Sequence, residues 1–96
     1  FRVKTLATSN SYIVKVGNTT DIIQGSIVIS DTDTAGTTTA FSTAADSDTI
    51  TLNRTTTGSV TIGEWFELED IAVGVYAVRG LLSNTGSGAT PFSATV

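Results

Sequence analysis

Hydrophobic and polar residues alternate along most of the chain, in short runs separated by polar turns. The clearest alternation is TITLNR, where Ile50 and Leu52 fall on one face of an extended strand. No window shows apolar residues at the three- and four-residue spacing of an amphipathic helix. Thr, Val and Ile dominate the runs, and branching at Cβ favours a pleated sheet. The pattern predicts an all-β protein.

Eight or nine short strands are predicted from this alternation and from the polar breaks between runs. Their spacing of about ten residues is typical of a sandwich or barrel. The predicted fold is therefore a single small antiparallel β-sandwich or barrel with Greek-key-like connections. The predicted strands are RVKTLAT, SYIVKV, IIQGSIVIS with a bulge at its glycine, TTTAFST, TITLNR, SVTI, EWFELE, VYAVRGLLS and PFSATV.

The size of the chain predicts one domain, residues 1–96, around one core, since 96 residues with 40% hydrophobic content support no more. Within it, NTGSGATP at 84–91 predicts a flexible loop before a terminal strand. The chain has no cysteine and no histidine, which removes disulfides and the usual zinc, haem and iron–sulfur ligands, so no cofactor is expected. The longest apolar runs are far below the roughly 20 residues that span a bilayer, so no membrane contact is expected.

Charge is low and unevenly placed. A net charge of −4 opposes binding to phosphate backbones, so nucleic acid is not an expected partner. Arg2, Lys4 and Lys15 precede every acid, whereas nine acids and only two arginines follow Thr20. Two interpretations stay open: a solvated scatter of charge, or a positive N-terminal end that complements a neighbouring subunit.

The stretch SDTDTAGTTTAF resembles the start of a calcium-binding loop, because Asp31, Asp33 and Gly36 fit loop positions 1, 3 and 6 of the EF-hand template. Positions 5 and 12 carry no suitable ligand, and the flanking sequences are poor in helix formers. The stretch is therefore interpreted as a polar turn between strands and no metal site is predicted. An irregular calcium site shared with Asp46 and Asp48 stays open.

Candidate catalytic groups are few, because without histidine and cysteine only carboxylates, lysines and tyrosines remain as proton acceptors. Glu64, Glu67, Glu69 and Asp70 are close in sequence, and Glu67 and Glu69 would project from one face of a strand. A sandwich of this size rarely encloses a substrate cleft. We interpret these residues as a solvated acidic face and expect no enzyme.

Two aromatic residues suggest more specific roles. Trp65, the only tryptophan, precedes Phe66, so under strict alternation one of the two faces outward. Trp65 is interpreted as a core residue, a protein-interface residue or a platform for a sugar ring. The pattern L-x-D-x-x-x-G-x-Y-x-V from Leu68 resembles the corner of Greek-key sandwiches, where a tyrosine hydroxyl, here that of Tyr76, bonds to backbone upstream.

The C-terminal third, GEWFELEDIAVGVYAVRGLLSNTGSGATPFSATV, is similar in style to small structural proteins of marine phages. With its acidic, threonine- and glycine-rich, cysteine-free composition, the chain resembles the decoration, or cement, proteins of tailed bacteriophage capsids. The resemblance implies a non-enzymatic homo-oligomer, with a trimer favoured, on the capsid surface of the virion. There it would bind the major capsid protein and stabilise the shell.

The expected partner interface comprises Phe1, Arg2, Val3 and Lys4 together with Trp65. Its positive charges would meet an acidic capsid surface, and deletion of Phe1 to Thr5 is expected to abolish capsid binding without unfolding the domain. Two alternatives remain. One is an extracellular carbohydrate-binding module or adhesin domain centred on Trp65, and the other is a phage tail or head-fibre subunit.

Overall fold

The computed structural model describes residues 1–96 and contains strands and turns only, which confirms the all-β prediction. It has seven strands, so the predicted number of eight or nine is wrong. No helix is long and apolar enough to cross a bilayer. The strands are β1 Tyr12–Lys15, β2 Ile22–Asp31, β3 Thr38–Ser42, β4 Thr49–Leu52, β5 Trp65–Ala72, β6 Val75–Asn84 and β7 Phe92–Ser93.

Two predicted strands are absent. The stretch RVKTLAT forms no full strand: only its first residues pair with the start of β5, with Arg2 opposite Trp65. SVTI forms no strand because three of its backbone amides, those of residues 59–61, donate to the Glu64 side chain instead of to a neighbouring strand. Alternation alone does not reveal such a competing acceptor.

The strands form a three-stranded sheet in the order β1-β4-β7 and a four-stranded sheet in the order β3-β2-β6-β5. The centre of the larger sheet is a parallel pair, in which Ile22 aligns with Val75 and Asp31 with Asn84. The prediction of a purely antiparallel fold is therefore wrong for β2 and β6. The reason is that a strand with one buried face has the same period of two in either orientation.

One hydrophobic core draws residues from both sheets. Ile50 and Leu52 of β4 are 0% exposed, which confirms the face predicted from TITLNR. The remaining core side chains are Val3, Ile23, Ile27, Ile29, Phe66, Val78, Leu82 and Phe92. Because β2, β5 and β6 each turn alternate residues inward, their other faces form the outer face of the four-stranded sheet.

The strands of the larger sheet approach closely at two glycines, Gly25 in β2 and Gly80 in β6. The register of β2 with β6 continues without a shift through Gly25, so the predicted bulge is not there; the irregularity lies in β5, between Asp70 and Ala72. A Cβ at Gly25 would lie 2.1 Å from the Val78 carbonyl oxygen. Only glycine allows this spacing.

The β5–β6 connection is a tight hairpin rather than a tyrosine corner. Gly74 has a φ of 74° in the turn, a conformation that glycine adopts without strain. The tyrosine hydroxyl that bonds to upstream backbone belongs to Tyr12, which donates to the Thr5 carbonyl at 2.5 Å. The predicted role of Tyr76 in such a bond is therefore wrong.

Candidate interaction surface

The first D-x-D sequence forms a turn. Asp31 Oδ1 accepts a hydrogen bond from the Asp33 amide at 2.7 Å. Asp33 Oδ2 accepts from the Gly86 amide at 2.6 Å and from the Thr85 hydroxyl at 2.9 Å. These two bonds hold the pKa of Asp33 below its ordinary value. The loop at 31–37 is thereby tied to the loop at 84–91.

The second D-x-D sequence anchors the end of the chain. Asp48 is 7% exposed, and its Oδ1 accepts from the Thr49 hydroxyl at 2.8 Å and from the amides of Thr95 and Val96 at 2.9 and 3.3 Å. Burial raises the pKa of Asp48, but these bonds and the charge of Lys15 outweigh it, so the pKa lies below its ordinary value. No three metal-ligating side chains converge, so the two aspartate pairs do not form one shared site.

Glu64 is a buried carboxylate surrounded by backbone amides. It is 5% exposed, and its oxygens accept from the amides of Ser59, Val60 and Thr61 in the preceding turn and of Ser83 in β6, at 2.6 to 2.9 Å. The interpretation of Glu64 as part of a solvated acidic face is therefore wrong. The sequence does not show which amides of a turn lack backbone partners, so it held no clear signal for this arrangement.

Glu67 and Glu69, in contrast, lie on the exposed outer face. Glu67 forms an ion pair with Arg79 on the neighbouring strand, and both side chains are largely solvent-exposed. The hydrogen bond to Glu67 and the charges of Glu67 and Glu69 raise the pKa of Arg79 above its ordinary value. The carboxylates thus lie on an open sheet face.

An apolar row crosses the outer face. The strand registers place Ala40, Val28, Leu81 and Trp65 side by side, one from each of the four strands. We call these four residues the outer row. Leu81 is 52% exposed, and Ile62, 69% exposed, extends the outer row across a shallow groove of about 310 Å³ that Trp65 and Leu81 also line. A continuous apolar row of this kind marks a surface suited to contact with another molecule.

The N-terminal segment lies beside the outer row. Four backbone hydrogen bonds of 2.7 to 3.0 Å join Phe1 and Val3 to residues 63–66, as in a short antiparallel ladder. This pairing places Arg2 opposite Trp65 at the edge of the four-stranded sheet. Of the residues predicted to form an interface, Arg2 lies opposite Trp65, whereas the ring of Phe1 stacks on the inward-facing Phe66 with 5.1 Å between ring centroids.

Not every proposed interface residue is accessible. Val3 is 1% exposed and belongs to the core, so its side chain does not reach the surface. Phe1 is 48% exposed, and Arg2 and Lys4 are exposed. Because Val3 packs in the core, deletion of Phe1 to Thr5 would also destabilise the fold, and the expectation that this deletion leaves the domain folded needs correction.

A second exposed apolar element is the tip of the β5–β6 hairpin. Val73 is fully exposed and Ile71 is 54% exposed. Glu69 and Asp70 precede the tip and are exposed. The side chains of Val73 and Ile71 therefore form a second exposed apolar surface.

Comparison with protein-family models, with curated proteins and with solved structures gave no match to this chain.

Proposed function

We propose that this chain is a non-enzymatic structural protein of a virion, a decoration or cement protein that binds the major capsid protein of a tailed bacteriophage and stabilises the shell. The observation that carries the proposal is the outer row, an exposed apolar stripe across all four strands. An open sheet face of this shape suits packing against another protein surface better than it suits enclosing a small substrate.

Charge beside the outer row adds specificity to this proposal. Arg2 is held at the sheet edge by the N-terminal ladder, and Lys4 follows it with an exposed side chain. Positive charge at the rim of an apolar surface favours encounter with an acidic capsid surface. When several contacts form at once, effective concentration makes the total binding to the capsid strong even though each single contact is weak.

A carbohydrate-binding function is the main rival, because Trp65 lies at an exposed groove. It is the only aromatic side chain on the outer face of the four-stranded sheet, since Phe41, Phe66 and Tyr76 occupy inward-facing positions of their strands. Sugar-binding faces usually present several aromatic residues. The decoration function is therefore the better supported of the two.

The test has two arms. Quantitative peptide mass spectrometry of purified phage particles from a host carrying the gene should detect the chain at a fixed ratio to the major capsid protein. In a binding assay with particles lacking the chain, Arg2→Glu should reduce occupancy at least tenfold.

Arg54→Glu is the matched control, because Arg54 and Arg2 each donate one side-chain hydrogen bond to a single backbone carbonyl, at 3.1 and 3.0 Å. It should leave occupancy unchanged. Absence of the chain from particles, or equal effects of the two reversals, would contradict the proposal. Glycan binding that is lost in Trp65→Ala, with assembly intact, would favour the carbohydrate-binding module.

A further inference from the structure

Strand β3 forms one edge of the four-stranded sheet and pairs only with β2. Beyond one end of β3, the Asp31 amide donates to the Thr37 carbonyl at 2.9 Å. Beyond the other end, the Thr43 amide donates to the Gly25 carbonyl at 3.0 Å. Bonded and non-bonded positions alternate along an antiparallel pair. The residues of β3 whose amides and carbonyls point away from β2, toward the open edge, are therefore Thr38, Ala40 and Ser42.

This edge lacks the features that usually prevent an edge strand from pairing with another chain, namely a charge, a proline or a bulge. Residues 37–45 contain no charged residue and no proline, and the register of β3 with β2 runs without a shift. The other edge strands differ: β1 ends at Lys15, β5 carries Glu67 and Glu69, and β7 has only two residues. Strand β3 is therefore the edge of this fold that is open to pairing with a further strand.

A second copy of β3 matches this edge. In an antiparallel pair about a twofold axis at Ala40, that residue faces its own copy, and Thr38 faces Ser42 of the second copy. These residues have the outward-pointing backbone groups, so each facing pair exchanges two backbone hydrogen bonds. Thr39 then faces the half-buried Phe41 of the other copy. No like charges meet, whereas a self-pair of β5 would bring its acids together.

Pairing at β3 also lengthens the outer row. Ala40 is the member of the outer row that lies at this edge, beside Val28. Side chains of directly opposed residues in an antiparallel pair lie on the same face of the sheet. The outer rows of the two copies would therefore meet end to end at Ala40 and form one apolar row across both four-stranded sheets.

We propose that two copies of the chain associate by antiparallel pairing of β3 with its own copy, centred on Ala40. Asp33 and Asp46, the nearest charged residues along the chain, lie in the turns beyond the two ends of β3 and outside the paired strands. A twofold pair closes as a dimer, so the inference predicts a dimer instead of the trimer that the resemblance implies. It goes beyond the proposed function and is measured separately, because self-association needs no capsid.

Amide hydrogen exchange followed by NMR tests the pairing residue by residue. In the monomer, the amides of Thr39 and Phe41 bond to β2 and should exchange slowly, whereas the outward-pointing amides should exchange fast. Raising the protein concentration should slow exchange at least about tenfold at the outward-pointing amides, with a much smaller change at residues 39 and 41. Light scattering across the same series should show the mass rising to that of a dimer. The amides expected to respond are those of Thr38, Ala40 and Ser42.

Two matched variants test the position of the contact. Ala40→Lys places two lysines opposite each other at the axis and should weaken association at least about tenfold. Leu81→Lys is the control, because it adds the same charge to the same outer row at a 52% exposed residue two strands from the edge. It should leave association unchanged. Equal losses in the two variants would show that the copies pack through their outer faces instead, which would overturn the inference.

Three further results would overturn it. They are a wild type that stays monomeric at every concentration, a dimer without slower exchange at the outward-pointing amides of β3, and a dimer that survives Ala40→Lys. A monomer that still occupies capsids would overturn the inference while leaving the decoration function intact.

Discussion

At the scale of single residues, the surroundings decide what a carboxylate does. Glu64 and Glu67 are three positions apart, yet Glu64 is 5% exposed and accepts hydrogen bonds from four backbone amides, whereas Glu67 lies on an open sheet face. A buried carboxylate is stable only when its oxygens are satisfied, as those of Glu64 are. Glu64 therefore fixes the backbone of the turn before β5 by accepting its amides, while Glu67 forms only an ion pair on the exposed sheet face.

We expect Glu64→Gln to destabilise the fold by about 2 to 4 kcal/mol. Each oxygen of Glu64 accepts from two amides, so the NH₂ group of glutamine would face two backbone donors whichever way it turns. For a domain of this size the change corresponds to a fall in melting temperature of more than about 10 °C. Thermal unfolding followed by circular dichroism measures it.

Glu67→Gln is the matched control, since it makes the same chemical change on an exposed residue. Its melting temperature should stay close to that of the wild type. Equal losses for the two variants would show that the amides around Glu64 do not depend on its charge.

Acid should destabilise the protein through Asp48 and Asp33. Both have a folded-state pKa below the ordinary value of 3.8. Each group therefore contributes stability that is fully present above its unfolded pKa and is lost as the pH falls through its folded pKa. We expect a nearly constant melting temperature from pH 7 to about 5 and a decline below about pH 4.

The variant Asp48→Asn separates this effect from general acid denaturation. It should melt below the wild type at pH 7, because the Thr95 and Val96 amides lose a charged acceptor. It should also lose less on acidification, since one titrating group is gone. Melting curves at pH 7, 5 and 3 check this, and an unchanged acid response in the variant would contradict the assignment to Asp48.

At the scale of elements, β6 lies inside the larger sheet and pairs with two strands, parallel with β2 on one side and antiparallel with β5 on the other. Gly80 lies where β6 crosses closest to β5: an added Cβ would be 2.4 Å from the Trp65 carbonyl oxygen and 2.6 Å from the Phe66 Cα. Both neighbours are backbone or directly attached to it, so neither can rotate aside. The spacing of β5 and β6 thus depends on the absence of a side chain.

Gly80→Ala should therefore destabilise the protein by at least about 3 kcal/mol or prevent folding. Gly17→Ala is the control, because an added Cβ there meets nothing within 4 Å. We expect a change of less than about 1 kcal/mol for that variant, in either direction. Chemical denaturation of both variants measures the difference in the free energy of unfolding. Similar midpoints would show that β5 and β6 can move apart at Gly80 without loss of stability.

Part of this strand arrangement could be predicted from the sequence. Alternation identified the inward face of β4, since Ile50 and Leu52 are buried as their spacing predicts, and it placed Glu67 and Glu69 on one exposed face of β5. It did not identify the parallel pairing of β2 with β6, because period two is the same in both orientations. The amides of the predicted strand SVTI donate to the buried Glu64 side chain instead of pairing with another strand, and a pattern of hydrophobic residues does not indicate such an acceptor.

The same limit applies to the candidate surface. Strict alternation required either Trp65 or Phe66 to face outward without deciding which, and a core position was one interpretation of Trp65; the structure buries Phe66 and leaves Trp65 on the outer face, half-buried and outside the core. Leu81 and Val28 were not predicted to belong to an apolar surface, since that depends on which residues lie beside them on neighbouring strands. Cross-strand neighbours follow from register, and register is set by the assembled sheet.

At the scale of the whole molecule, two apolar surfaces face away from the shared core. The outer row lies on the open face of the four-stranded sheet, and the hairpin tip extends from its β5–β6 edge. Because the two surfaces consist of different residues, contact at one of them does not block contact at the other.

The topology of the whole chain also sets an expectation for folding. The central parallel pair joins Ile22 to Val75, 53 residues later, and the order β3-β2-β6-β5 cannot be completed without it. The entropy of closing that loop must be overcome before the pairing stabilises anything. Domains dominated by such non-local pairing fold in milliseconds to seconds.

Refolding of this chain should therefore show a main phase slower than about 1 ms in water at 25 °C. Trp65 is a built-in probe, since it is the only tryptophan and lies in β5, which pairs directly with β6. Stopped-flow fluorescence after dilution from denaturant measures the rate. Val28→Ala, on β2 at the centre of the sheet, should slow refolding if β2–β6 pairing forms in the transition state, whereas Ile13→Ala on β1 should act mainly on unfolding. Complete refolding within microseconds would mean that local contacts, rather than the parallel pair, determine how this fold forms.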